Sequence, residues 1–280
     1  MRTFDARRML NAVPGVLRAV VVAVTALVAM PAVAQDADQL AQQLSNPISS
    51  LTSVPFQFNY QHGVGLGDRG SRSFLNVQPV IPISIGEDWN LISRTIIPIA
   101  VYQEGLFPGA GSQFGVGDVI QSGFFSPKAL TASGWTWGVG PALRLRTASN
   151  DLLGGGKWAA GPTAVALRQT ADGWTYGMLI NHLWSLAGDS NRADVNATFL
   201  QPFLSRGLGQ GRTVSASLES TYDWETRQWT VPLGLFYSKV SRIGSQLVSY
   251  QYSASYFIEQ PVLGPEWGLR FTVTLLYPRG

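Results

Sequence analysis

From Val54 to Tyr277, hydrophobic and polar residues repeatedly take turns at every second position. Phe56, Phe58 and Tyr60 alternate with Gln57, Asn59 and Gln61. Leu75, Val77, Pro79, Ile81, Ile83 and Ile85 alternate with Asn76, Gln78 and Ser84. Near the end, Trp267, Leu269, Phe271, Val273, Leu275 and Tyr277 alternate with Gly268, Arg270, Thr272 and Thr274. A period of two gives a β-strand one apolar and one polar face. The pattern predicts strands near 54–62, 72–85, 89–102, 114–126, 135–147, 159–170, 174–186, 195–206, 213–223, 229–239, 247–258 and 267–277. The count is even, and each segment is near the length that a tilted strand needs to cross a bilayer.

The links between these segments alternate in length. Gly86-Glu87-Asp88, Ala171-Asp172-Gly173 and 241–245 are short. Between them stand longer polar or glycine-rich links at 63–71, 103–113, 148–158, 187–194 and 259–266. Short turns at one end and loops at the other describe an up-and-down barrel. Two links depart from the rule: 127–134 is long for a turn and 224–228 is short for a loop.

A soluble sandwich turns its apolar face inward, whereas an outer-membrane barrel turns it to lipid. Tryptophan placement favours lipid. Trp89, Trp135 and Trp174 open strands after the turns of the periplasmic end, and Trp158, Trp184, Trp224, Trp229 and Trp267 stand beside the outer loops. Only Trp137 lies within a strand. Indole rings prefer the membrane–water boundary, where the ring stays apolar and the N–H stays wet. Against this, Pro79, Pro82, Pro98, Pro141, Pro162, Pro202 and Pro232 fall within strands. A closed barrel has no edge to excuse a missing donor. Most lie near strand ends, where a bulge absorbs the loss, but Pro141 does not.

The first residues read as an address. Arg2, Arg7 and Arg8 precede the apolar run Ala19–Met30, and Ala32-Val33-Ala34 supplies small residues for cleavage after Ala34. This is the layout of a secretory signal peptide. The chain is formally +3, with 20 basic and 17 acidic residues. Beyond residue 34 the counts fall to 16 and 16, so no basic field remains to attract nucleic acid. There is no cysteine, hence no disulfide framework. The polar stretch 36–50, with Leu40 and Leu44 a helical turn apart, is a periplasmic leader or short helix, free or capping one barrel end. The expected organisation is therefore a signal peptide over 1–34, a leader or helix over 35–53, and an all-β, transmembrane antiparallel barrel of about twelve strands over 54–280.

Several segments resemble a family of bacterial outer-membrane proteins named for the meta-pathway of phenol degradation, also labelled as transporters or as neuromedin U-like. They are QPVIP (78–82), DWNLISRTIIP (88–98), FPGAGSQFGVGD (107–118), GPTAV (161–165), ADVNATFLQPF (193–203), STYDWE (220–225) and GLRFTVTLLYP (268–278). The resemblance implies a porin-like channel for small, aromatic or hydrophobic molecules. Where outer-membrane chains commonly end on an aromatic residue, Tyr277 is followed by Pro278, Arg279 and Gly280.

If apolar faces look outward, lumen and constriction candidates are Arg94, Asp118, Arg144, Arg146, Glu219, Asp223 and Arg270, with Asn181 and Asn196. Arginines facing carboxylates across a pore select by charge and size. The alternative is that they pair and fill a closed lumen, since twelve strands lie between filled eight-strand barrels and open porins. Asp118 shares parity with Phe114, Val116 and Ile120, and a bulge among Gly115, Gly117 and Gly123 is needed to turn it inward. The link 103–113 either folds in as a constriction or stays solvated.

Rival chemistry finds little support. The only histidines are His62 and His182. His182 and Ser185 are three apart, on opposite faces of a strand, out of the reach that a nucleophile and its base require. Metal ligation lacks cysteine and clustered histidine, and 151–157 lacks phosphate-loop spacing. The expectation is a passive channel without enzyme activity or cofactor. Its partners are the outer-membrane bilayer, a small-molecule solute and the outer-membrane assembly machinery. A structural or plugged barrel, or an outer-membrane lipase, is the alternative.

Overall fold

The computed structural model describes residues 36–107 and 109–278, so the expected signal peptide over 1–34 lies outside the described residues. A helix over residues 36–44 comes first. Then follow β1 (Thr52–Val64), β2 (Gly70–Val77), β3 (Val80–Ile85), β4 (Trp89–Glu104), β5 (Gln113–Gly115), β6 (Val119–Pro127), β7 (Trp135–Leu145) and β8 (Lys157–Gln169). The remainder are β9 (Trp174–Gly188), β10 (Asn196–Gly209), β11 (Arg212–Leu218), β12 (Ser220–Asp223), β13 (Gln228–Ile243), β14 (Gln246–Glu259) and β15 (Trp267–Tyr277).

Three pairs of segments, β2/β3, β5/β6 and β11/β12, run on as single interrupted strands, so fifteen segments make twelve strands. Every pairing is antiparallel, and β1 pairs with β15 from Thr52↔Tyr277 to His62↔Trp267. That last ladder closes the sheet into a barrel and leaves no exposed edge. Both described termini lie at one mouth, together with the turns 86–88, 128–134, 170–173, 210–211 and 244–245. The opposite mouth carries 65–69, 105–112, 146–156, 189–195, 224–227 and 260–266. The two links of unexpected length thus keep their alternating places.

The outward face is apolar. Phe58, Ile83, Leu186, Leu235, Tyr252, Ile258 and Leu269 are all exposed, whereas Asn59, Gln103, Thr163, Thr175, Ser249 and Thr272 on the inner face are buried. This inversion is the reverse of a soluble barrel. Trp137, two residues into β7, also belongs to the rim: its ring meets Trp89 edge-on at 5.9 Å. Trp135 meets Tyr176 likewise at 5.8 Å.

The mid-strand prolines have a shared solution. Pro141 of β7 stands directly opposite Pro162 of β8. An antiparallel ladder alternates hydrogen-bonded and non-bonded pairs, and two prolines can face each other only at a non-bonded pair. Their missing donors then fall on the outer neighbours, and pairing lapses there. The β6–β7 ladder skips from Ser122↔Ala142 to Phe125↔Val139. The β8–β9 ladder skips from Ala160↔Trp184 to Thr163↔Asn181. The preceding glycines let the chains draw together: a Cβ on Gly140 would meet the Gly123 carbonyl, and one on Gly161 the His182 carbonyl. Pro98 is absorbed differently, by a bulge where Leu75↔Ala100 is followed by Asn76↔Pro98 and Ile99 is the extra residue.

Candidate functional site

Strand parity decides which polar side chains reach the lumen. At mid-height Arg270, on the inner face of β15, donates from Nη1 and Nη2 to both Glu219 carboxylate oxygens at 2.9 Å. Its Nε donates to Asn59 Oδ1 at 2.7 Å. Glu219 occupies the single-residue break between β11 and β12. By register Pro202 of β10 lies opposite Leu218, and Pro232 of β13 lies opposite Glu219. The two prolines remove donors on both sides of the break, so the ladders that flank Glu219 lapse together. The register is the same on both sides of the break, so Glu219 keeps the inward parity of Thr213 and Ser217 and meets its cation in the lumen.

Beside this pair, Gln78 Nε2 donates to Gln57 Oε1 at 2.6 Å. That bond orients the Gln78 amide with its oxygen towards Arg94, whose Nη2 donates to it at 3.5 Å. Arg94, Glu219 and Arg270 line a cavity of about 450 Å³. Its lining is mixed: polar Gln57, Asn76, Ser217 and Thr274 stand among apolar Phe199, Phe203, Phe236 and Val80.

The loop mouth is drawn together by a second centre. Asp118 lies between β5 and β6, where the chain leaves the ladder, and its side chain is buried. It accepts from Arg144 Nε at 3.1 Å and Nη2 at 2.9 Å. It also accepts from the backbone N–H of Thr147 at 3.2 Å, Ala148 at 3.1 Å and Gly155 at 2.7 Å. A buried carboxylate is tolerable when fully hydrogen-bonded in this way. Asp118 therefore anchors the 146–156 loop. Gln103 Nε2 holds the same loop by donating to the Leu152 carbonyl at 3.0 Å, and Arg192 Nη2 donates to the Gly154 carbonyl at 2.6 Å. Lys157 Nζ, nearly buried, pairs with Asp194 Oδ1 at 2.9 Å. That contact holds Asp194 below the usual aspartate range.

The 103–113 link is mostly solvated, with Gly109, Ala110, Gly111 and Ser112 exposed. It is the 146–156 loop that turns inward, burying Leu153.

At the short-turn mouth the segment before β1 enters the barrel. Leu40 and Ala41 of the helix pack with Leu51, Val240 and Leu276. Asp38 Oδ1 accepts from the Gly211 N–H at 2.6 Å, and Gln169 Nε2 donates to the Gln42 carbonyl at 2.7 Å. Past the helix, Ile48 reaches further in and packs with Ile92, Phe124, Val165, Leu167 and Leu179. Leu44, Ser45, Pro47 and Ser49 close the cavity on this side. The segment is a plug, not a free leader.

Other expected site residues have other places. Asp223 shapes the 224–227 turn: its Oδ1 accepts from the N–H of Glu225 at 2.9 Å and of Thr226 at 3.1 Å. Arg146 is exposed at the start of the 146–156 loop. Asn196 donates to Glu225 Oε1 at 3.2 Å, and Asn181 faces inward opposite Thr163 and Phe199. Trp158, Trp174, Trp184, Trp224, Trp229 and Trp267 are exposed at strand ends. His182 bonds Thr198 Oγ1 at 2.7 Å through Nδ1 on one face of β9. Ser185, on the other, donates to Asp194 at 3.1 Å. Among the described residues no cluster of His, Cys, Asp or Glu could hold a metal.

Sequence reasoning passed over Arg72, Gln57, Asn59, Gln78, Gln103 and Lys157. The signal for Arg72 was present, since it shares parity with Asn76 and Gln78. Arg72 faces inward opposite Gln61 and Gln103, stacks over Phe74 at 5.2 Å, and leaves Nε without a partner.

No protein-family model and no curated relative matches the chain. Among solved structures it is similar to the COG4313 outer membrane channel from Pseudomonas putida F1, with TM-score 0.63 at 13% identity over 81% of this chain and 94% of that one. It is also similar to the NanC porin, with TM-score 0.51 at 9% identity over 81% of this chain and all (100%) of that one. At these identities the likeness is one of fold.

Proposed function

We propose that this chain is an outer-membrane channel through which small solutes pass passively. The observation that carries the reading is the inverted barrel: an apolar belt outside, tryptophans at both rims, and arginine, glutamate and amide side chains inside. Only a lipid surround makes such an outer face favourable, because exposed apolar patches of this extent do not persist in water. The fold likeness to a named channel and a named porin supports the same role. The basic, apolar and small-residue layout of 1–34 fits export with cleavage after Ala34. The resemblance to the phenol-degradation family points to small aromatic or hydrophobic solutes. No catalytic step belongs to this reading, and His182 and Ser185 serve the barrel wall and a loop.

The plug at the short-turn mouth favours one refinement, a channel closed at rest. A structural barrel that never opens is the competing account. Bilayer recording separates them. The protein should give brief, salt-dependent openings, and deletion of residues 36–50 should lengthen them or raise the conductance. Silence from both proteins, each demonstrably folded by heat-modifiable migration, overturns the channel.

A further inference from the structure

We propose that the lumen cavity is a binding site for a small organic monoanion with an apolar body, its carboxylate held by Arg94. Three observations converge on this. First, the two cavity arginines are satisfied unequally. Arg270 commits Nε, Nη1 and Nη2 to Asn59 and Glu219 at 2.7–2.9 Å. Among the described residues Arg94 makes one long hydrogen bond, to Gln78 at 3.5 Å, and stands in no ion pair. A guanidinium carries five donors in a planar fork that matches a carboxylate. Its remaining donors thus line a cavity with no acceptor assigned to them.

Second, the charge does not balance. The inward carboxylates Asp118 and Glu219 are each ion-paired with an arginine, while Arg72 and Arg94 stand in no ion pair among the described residues. Glu219 acts through space on Arg94 as well as Arg270, so one carboxylate serves two guanidinium groups. The lumen therefore carries unneutralised positive charge in a partly desolvated setting, where attraction for an anion is stronger than in water.

Third, aromatic side chains share the cavity with this charge. Phe199, Phe203 and Phe236 line the same cavity of about 450 Å³. Its size falls within the range of small-molecule sites, which pair apolar walls with few placed polar groups. An inorganic anion would use the guanidinium and waste the phenylalanines; a neutral aromatic would do the reverse. The Gln57–Gln78 bond fixes the acceptor that Arg94 leans on, so the fork is oriented before any ligand enters.

This deepens the channel reading, and the two fail separately because binding is measured without transport. The full chain is expressed, purified from membranes in detergent, and equilibrated by dialysis against labelled benzoate, acetate or benzyl alcohol. Benzoate should be retained at least tenfold more tightly than acetate or benzyl alcohol. Arg94→Gln should weaken benzoate about tenfold or more, the scale of one lost charged hydrogen-bond pair, and leave benzyl alcohol unchanged. Arg94→Lys should recover part of the loss, and Phe199→Ala should reduce the preference for benzoate over acetate. Heat-modifiable migration identifies folded variants. The proposal is overturned if benzoate is not retained, if benzyl alcohol binds equally, or if folded Arg94→Gln binds benzoate as the parent does. Benzoate retention by a barrel that never conducts would uphold the site and sink the channel.

Discussion

Arg270 grips Glu219 with both terminal nitrogens at 2.9 Å, joining β15 to the break between β11 and β12. The contact spans β13 and β14, which lie between the two partners in the sheet. It therefore works as a strut across the inner wall, not as a neighbouring-strand pair.

Removing one end should cost more than removing both. Arg270→Met leaves the inward carboxylate without its hydrogen-bonded cation, with Arg94 acting on it only through space, and Glu219→Gln leaves Arg94 and Arg270 to repel each other. Both side chains keep about a quarter of their exposure, so each single change should cost roughly 1–3 kcal/mol, below the fully buried limit. The double variant should recover part of that loss. Denaturant midpoints of refolded protein check the order, and a double variant as weak as the sum of the singles would refute the strut.

Asp118 predicts a local effect instead. Asp118→Asn loses the ionic bond to Arg144 and weakens acceptance from Thr147, Ala148 and Gly155. The 146–156 loop should become cleavable by added protease at least several-fold faster, while the barrel keeps its heat-modifiable migration. Unchanged cleavage would show that Gln103 and Arg192 hold the loop unaided.

The Gly-Pro pairs separate two kinds of backbone requirement. Gly161→Ala places a Cβ against the His182 carbonyl and should destabilise by about 1–3 kcal/mol, the cost of forced overpacking. Pro162→Ala only restores an N–H where the ladder already lapses, and should change stability by less than about 1 kcal/mol. Comparable losses from the two would contradict the paired-proline geometry.

Asp194 should make the loop mouth sensitive to acid. Hydrogen bonding and charge from Lys157, aided by Ser185, hold its carboxyl below the ordinary value, which is about 3.9. A depressed folded pKa stabilises above the unfolded value and is lost as pH falls through the folded one. The 189–195 loop should therefore stay protease-resistant through mildly acidic pH and loosen only below the ordinary aspartate range. In Lys157→Met the loosening should begin at a higher pH. An unshifted profile would remove Lys157 as the cause.

Much of the barrel was legible because a period of two survives in every strand long enough to cross a membrane. Parity alone also places Arg94 and Arg270 on the inner face. It failed where strands are interrupted. Asp118 shares parity with Phe114, yet the unpaired residues between β5 and β6 turn it inward. Asp223 has an inward parity but is claimed by its own turn. Parity also points Glu219 inward, but its pairing with Arg270 across two intervening strands needs the closed barrel, which residue patterns do not contain. The opposition of Pro141 and Pro162 needs the register, which residue patterns do not contain. Leu40 and Leu44 announced the helix; its seat is a property of the finished wall.

That seat draws on distant parts of the chain. The plug touches Val240 of β13, Leu276 of β15, the Gly211 turn and Gln169 of β8, and Ile48 meets β4, β6 and β9. An unfinished sheet, with β1 not yet joined to β15, has no such arrangement of surfaces to offer. The stopper can find its place only once the ring is complete, so a docked segment certifies assembly, and a half-built barrel stays unsealed.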